Sequence, residues 1–93
     1  DLELLQDGKT LKIKNSKITL TKTEYAILKQ LLLTPDKVVI KTKLVNLISE
    51  DTEDGDENSL KVHISNMRKK IRKITEIEYI EAVWGIGFKM KQN

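Results

Sequence analysis

The sequence predicts an α+β domain of 93 residues: a small N-terminal antiparallel sheet, three helices and a C-terminal β-hairpin. Three observations carry that expectation. Short runs that alternate apolar and polar residues, broken by Asp7-Gly8 and Asn15-Ser16, open the chain. Three amphipathic helical patterns follow, the first bracketed by a start signature at Thr21 and a stop at Pro35. Gly85 and Gly87, two apart between β-type runs, then mark a tight hairpin whose turn needs positive φ or close backbone approach.

Taken in order, Leu2 to Leu5, Leu11 to Ile13 and Ile18 to Leu20 are the expected strands, and Leu11/Ile13 and Ile18/Leu20 offer one apolar face for packing. Thr21-Lys22-Thr23-Glu24 has the capping-box pattern, in which the Thr hydroxyl takes an orphan N–H and Glu24 reaches back to the cap. The helix it starts sets Tyr25, Leu28, Leu31 and Leu32 toward a core and stops near Thr34-Pro35. Val38-Val39-Ile40 is a brief β-prone run. A second helix, about Thr42 to Ser49, buries Leu44, Leu47 and Ile48. The octet Glu50 to Glu57 has no apolar residue and reads as an exposed loop. After the third helix, Tyr79 to Val83 leads through Trp84-Gly85-Ile86-Gly87 into a strand where Phe88 and Met90 alternate with Lys89 and Lys91. Three helices followed by a hairpin is the layout of a winged helix-turn-helix, with the hairpin as wing.

The third helix, within Asp56 to Lys73, organises the rest. At about 100° per residue, Leu60, Ile64, Met67 and Ile71 fall on one narrow stripe. The opposite face carries Asn58, Val62, Ser65, Asn66, Lys69 and Lys73, and from Leu60 to Lys73 there are six cations and no acid. A helix held by its apolar stripe and offering amides, a hydroxyl and cations on its other face suits a nucleic-acid groove.

Charge supports this. The net charge is only +3, but the octet Glu50 to Glu57 holds six of the fourteen acids, leaving seventeen cations against eight acids, +9, elsewhere. Such a split sets a basic surface beside an acidic segment, and basic surfaces attract phosphate backbones or anionic membranes. There is no cysteine, so disulfides and thiolate metal sites are excluded. No apolar run approaches the roughly 18 residues of a membrane span, and the chain does not start like a secretory signal. One domain over residues 1–93, in a cytoplasmic bacterial protein with no membrane contact, is the expectation.

Competing chemistries fail on position. With Gly55 as the sixth residue of a calcium loop, the twelfth, which must be a bidentate Glu, is Lys61. Gly85-Ile86-Gly87 is followed by a strand, whereas a dinucleotide site needs a helix there. His63 is the only histidine and cannot build a metal site or a triad alone. It lies on the flank of the buried stripe, as a half-buried packing residue or a phosphate contact. No catalytic residue, cofactor or metal is expected. Trp84 is expected to pack against the base of the wing with partial exposure, ahead of direct DNA contact.

The ordered motifs Leu20-Thr21-x-x-Glu24-Tyr25, Leu28 with Leu31-Leu32, Pro35-x-x-Val38-Val39, Val62-His63-Ile64-Ser65-x-Met67-Arg68-Lys69-Lys70-Ile71 and Tyr79-Ile80-x-x-Val83-Trp84-Gly85-Ile86-Gly87-Phe88 resemble the C-terminal effector domain of OmpR/PhoB-type response regulators. The resemblance implies a third helix in the major groove, a wing at the adjacent minor groove, and two copies on tandem half-sites. It also implies a phosphorylatable receiver domain in the intact protein, addressed by a histidine kinase, and contact with RNA polymerase through the segment Glu50 to Glu57. Relatives often carry Arg at the positions of Asn58 and Asn66, so a different half-site and weaker intrinsic affinity are implied here. Where relatives begin the second helix with a Ser cap this chain has Ile40, which leaves Thr42 as the candidate cap.

The expected interface with double-stranded DNA follows. Val62, Ser65 and Asn66 read bases, Val62 through a thymine methyl and Asn66 through an adenine edge. Asn58, Ser59, His63, Arg68, Lys69 and Lys89 hold the backbone, with Lys70 and Lys73 as further phosphate neutralisers. Ile86 at the wing tip approaches the minor groove. The alternative is a protein–protein module whose basic helix takes an acidic partner.

Overall fold

A computed structural model describes residues 2–51 and 56–91, the side chains of 49–51 excepted. The chain forms β1 (Leu2–Leu4), β2 (Thr10–Ile13), β3 (Ser16–Thr19), α1 (Lys22–Leu33), β4 (Val39–Ile40), α2 (Lys41–Asp51), α3 (Glu57–Arg72), β5 (Ile80–Val83) and β6 (Gly87–Met90). This is the α+β winged arrangement the sequence predicts, with two additions. The brief run β4 is a strand of the wing, giving a three-stranded sheet in the order β4-β6-β5, all pairs antiparallel. The acidic octet is also less of a loop than expected: α2 extends through Glu50 and Asp51, and Asp56-Glu57 already belong to the start of α3, while 52–55 lie outside the described residues.

The first sheet is a meander, β1-β2-β3. Its first turn is closed by Asp7, whose carboxylate accepts the N–H groups of Lys9 and Thr10 at 2.9 Å and the Thr10 hydroxyl. Its second turn is Lys14-Asn15, one residue earlier than the turn signal suggested. Ser16 pairs with Ile13, and Lys14 takes the left-handed φ of 54°. Strand β2 points Leu11 and Ile13 into the core, both fully buried.

The capping box of α1 forms as expected. Glu24 N–H donates to Thr21 Oγ1 at 3.1 Å, and Thr21 N–H donates to Glu24 Oε1 at 2.9 Å. The helix presents a different stripe from the expected one: Glu24, Ile27, Leu28 and Leu31 are buried, while Tyr25 and Leu32 sit at the margin. The i, i+3, i+4, i+7 spacing of that set is a complete helical face. It is tolerated because Glu24 does not go inside alone: Lys70 Nζ lies 2.6 Å from Oε1. Tyr25, at the edge, instead donates its hydroxyl to the Leu5 carbonyl and fastens the first sheet to α1.

Helix α2 buries Leu44 and Ile48, with Leu47 at the margin. Thr42 does not stand where a cap must. The helix begins at Lys41, and the N–H of Lys41 donates at 3.1 Å to the carbonyl of Ile86 in the wing turn. An orphan donor of the helix start is thus taken by the main chain of another element.

Leu60, Ile64, Met67 and Ile71 are the buried residues of α3, as the stripe predicts. They meet Leu11 and Ile13 from the first sheet, the α1 and α2 stripes, and Val39, Ile80, Phe88 and Met90 from the second, in one core. The two glycines of the wing do separate jobs. Gly85 takes φ 76°, a conformation that costs a side-chain-bearing residue energy. Gly87 lies so close to β4 that an added Cβ would stand 2.0 Å from the Val39 carbonyl oxygen. No described helix is long and apolar enough to cross a membrane.

Candidate nucleic-acid interface

Helix α3 begins on a side-chain cap. Asp56, in an extended conformation, accepts the Ser59 N–H at 2.8 Å. Hydrogen bonds from the Ser59 backbone and hydroxyl hold the Asp56 carboxyl below the usual carboxylate range. Glu57 follows in the first turn, and Lys69, Lys70 and Arg72 fill the last, the charge order that suits the helix dipole.

With one face of α3 inside, the other is left to solvent. Asn58, Ser65, Asn66, Lys69 and Lys73 are exposed, and Val62 is 57% exposed between them. His63 is half-buried on the flank, which keeps both its expected roles in play. Ser59 is also half-buried, and its hydroxyl is engaged with Asp56, so as a backbone contact it would have to share that bond.

Two cations of the expected interface turn inward. Arg68 donates from Nη2 to the Ile80 carbonyl at 2.9 Å, and its Nε is buried with no hydrogen-bond partner. Instead of projecting from the helix, Arg68 fastens the base of β5 to α3. Lys70 is the partner of buried Glu24 and also lies 3.3 Å from the Thr19 carbonyl. It links α3 to α1 and β3. The helical angle held the clue: Arg68 and Lys70 lie about 70° and 90° from the middle of the buried stripe, on opposite flanks. What the angle could not supply was the partner on each side.

The wing stands beside α3. Lys61, Ser65, Arg68 and Arg72 on the helix face Ala82 and Phe88 on the wing across a shallow groove. At the tip, Ile86 is 52% exposed, as its expected position requires. Lys89 is half-buried, 3.9 Å from Glu81, which Lys91 approaches equally closely. Trp84 departs most from expectation. It is 96% exposed and does not pack on the wing base, because the turn carries it past the end of the paired strands.

Comparison with known proteins agrees with this geometry. The family model described as "Transcriptional regulatory protein, C terminal" matches residues 15–90. The transcriptional regulatory protein QseB of Haemophilus influenzae is 30% identical over 91 residues, covering 98% of this chain and 39% of that protein. ResD of Bacillus subtilis is 29% identical over 92 residues, 97% of this chain and 38% of ResD. The chain therefore spans about two fifths of the length of these curated relatives. Among solved structures, the C-terminal domain of the nisin resistance regulator NsrR superposes with a TM-score of 0.81 at 32% identity, covering 99% of this chain and 93% of that one. The DNA-binding domain of the response regulator AdeR, solved in complex with an intercistronic region, superposes with a TM-score of 0.85 at 26% identity, covering 99% and 95%.

Proposed function

The chain belongs to the family of C-terminal domains of transcriptional regulatory proteins, and from that premise we propose that it binds double-stranded DNA with sequence preference and regulates transcription as the output domain of a two-component response regulator. One observation carries this above the others. Helix α3 is held by a four-residue apolar stripe and shows solvent an uninterrupted face of Asn58, Val62, Ser65, Asn66, Lys69 and Lys73. That is the width and chemistry of a helix laid in the major groove. The AdeR domain, solved in complex with an intercistronic region, supports DNA as the partner by analogy.

In this reading Val62, Ser65 and Asn66 face base edges. Asn58, Lys69, Lys73 and the wing's Lys89 face phosphates, with Ser59 and His63 at the margin of the contact. Arg68 acts by positioning the wing. Ile86 leads the wing tip toward the minor groove. Two copies occupy tandem half-sites, and the acidic segment 50–57 offers RNA polymerase an acidic contact. In the longer protein a receiver domain, phosphorylated through a histidine kinase in the cytoplasm, governs that pairing. No cofactor is invoked.

The roles separate in binding titrations on duplexes selected from a random pool. Asn66→Ala shifts preference at one or two base positions. Lys69→Ala weakens every sequence alike and lowers the salt slope by about one. Equal losses on all sequences for both variants would show that the roles are misassigned. A folded sample that ignores duplex DNA even at low salt would leave the protein–protein module as the better reading.

A further inference from the structure

We propose that Trp84 is an apolar wedge that enters the duplex between neighbouring base pairs from the minor groove, so that the wing senses how readily a base step opens. The proposal rests on the DNA-binding reading above and adds to it a residue and a mode of recognition.

The first observation is exposure. Trp84 is the only tryptophan of the chain and is 96% exposed, with Ile86, also exposed at 52%, two residues on. Leaving so large an apolar side chain in water forgoes burial that the core would reward. The second is that the turn bearing it is held at several points. Ile86 N–H closes the turn on the Val83 carbonyl at 3.0 Å, and the Ile86 carbonyl accepts from Lys41 at the start of α2 at 3.1 Å. Gly87 lies tight against the Val39 carbonyl, and Arg68 ties the foot of β5 to α3. The backbone at Trp84 is therefore carried at a set offset from the helix assigned to the major groove. Only the two side-chain torsions of the indole remain to be ordered when a partner arrives, which keeps the entropic cost low.

The chemistry of the partner follows from the surroundings. Glu81 is the only acid from Ile80 to Lys91, and two lysines stand 3.9 Å from it, so the wing carries no unopposed negative charge. That suits a polyanion. A phosphate, however, has little use for an indole, which has two apolar faces and a single donor. The part of a duplex that matches an aromatic face is the face of a base, reached by partly unstacking a step. Pyrimidine–purine steps open most easily. A site bound by this chain should therefore prefer such a step under the wing, although no hydrogen bond reads it. This would supply selectivity that the face of α3, lacking Arg at Asn58 and Asn66, does not draw from guanidinium contacts.

Because Trp84 is the sole tryptophan, its fluorescence reports the contact directly. The 93-residue chain is titrated with dye-labelled duplexes recovered from a random pool. Expected results are strong quenching of the indole at saturation, a duplex bend seen by energy transfer between its ends, and loss of both quenching and bend when the step under the wing is made G·C-rich. Trp84→Ala should lose about tenfold in affinity and abolish the bend, while Trp84→Phe keeps most of both. The thermal midpoint of either variant should match the parent, since nothing inside is altered. Saturable binding with unchanged emission and undiminished affinity of Trp84→Ala overturns the wedge and leaves DNA binding intact. No binding at all by the parent overturns the DNA reading and the wedge together. An emission change that follows protein concentration without DNA assigns Trp84 to a contact between copies and overturns the wedge.

Discussion

The two three-stranded sheets have the same strand count and the same antiparallel pairing, yet they are joined to the helices in different ways. The first is docked by side chains. Leu11 and Ile13 insert into the core, Tyr25 reaches the Leu5 carbonyl, and the Glu24–Lys70 pair closes over the end of β3, while both turns are polar. The second also buries Ile80, Phe88 and Met90, but its borders are held by main-chain groups. The Ile86 carbonyl accepts the Lys41 N–H and the Met90 carbonyl accepts the Asp36 N–H, both main chain to main chain, beside one side-chain bond from Arg68 to Ile80 of the kind Tyr25 makes in the first sheet. Because carbonyl groups do the fastening, the side chains at the tip are released, and they are apolar and exposed. A sheet docked through its side chains acts as scaffold, and one docked through its backbone can hold a tool.

The contrast breaks most visibly at Gly87. Its Cβ position is blocked by backbone, with the Val39 oxygen at 2.0 Å and Ile40 Cα at 2.9 Å, so Gly87→Ala must part β6 from β4. A loss of about 3 kcal/mol in denaturant unfolding is expected. Gly85→Ala, where nothing lies within 4 Å and only the φ of 76° is strained, should lose about 1 kcal/mol. Similar losses for the two would mean that β4 is free to give way and that the second sheet is not fastened through its backbone.

In the first sheet the corresponding test is Lys70→Met. Glu24 would stay buried with only the Thr21 N–H for company. Lys70 is about a third exposed, so solvent screens part of the pair, and a loss of about 2 kcal/mol is expected. A double-mutant cycle with Glu24→Gln, which keeps an oxygen for the cap, should return a coupling of about 1 kcal/mol. Arg68→Ala is the match in the second sheet, with about 1.5 kcal/mol lost from a charge-assisted bond. The two variants should part on DNA. Lys70→Met should lose affinity only as far as folding is lost, whereas Arg68→Ala should also lose the wing's share of binding while the domain is still folded.

The same contrast explains what could be read in advance. Elements whose docking is written in side-chain patterns were mostly legible: the α3 stripe, the capping box of α1 and the alternation of β2 appear where the pattern puts them, while the α1 stripe is turned to take in Glu24 and Ile27 in place of Tyr25 and Leu32. Features that depend on main-chain partners far along the chain were not. Nothing local to Val39-Ile40 says that it pairs with β6, or that Ile86 will take the first N–H of α2 in place of a Ser or Thr cap. The inward turns of Arg68 and Lys70 belong to the same class, since a helical angle places a cation on a flank without saying which carbonyl or carboxylate waits there. The packing on the wing base expected of Trp84 fails because a three-residue turn carries it past the paired strands.

The smallest effect lies where α3 meets the second sheet. Lys41, whose N–H is held by the wing turn, brings its side chain within 3.8 Å of Glu57 in the first turn of α3, so the start of that helix and the wing tip share a neighbour. The turn is capped by Asp56, whose carboxyl the Ser59 hydrogen bonds hold below the usual range. A group with a lowered folded value stabilises in its charged form. Its contribution is complete above the unfolded aspartate value of about 3.9 and is lost as pH falls through the lower folded value. The Ser59 amide resonance should therefore titrate with a midpoint below that of an ordinary aspartate. In Asp56→Asn, which keeps an acceptor oxygen but not the charge, it should cease to follow this group while the helix stays capped. At neutral pH both forms should fold alike, and any difference in DNA binding should be slight. A midpoint at or above the ordinary value would mean that the cap bond is not made in solution.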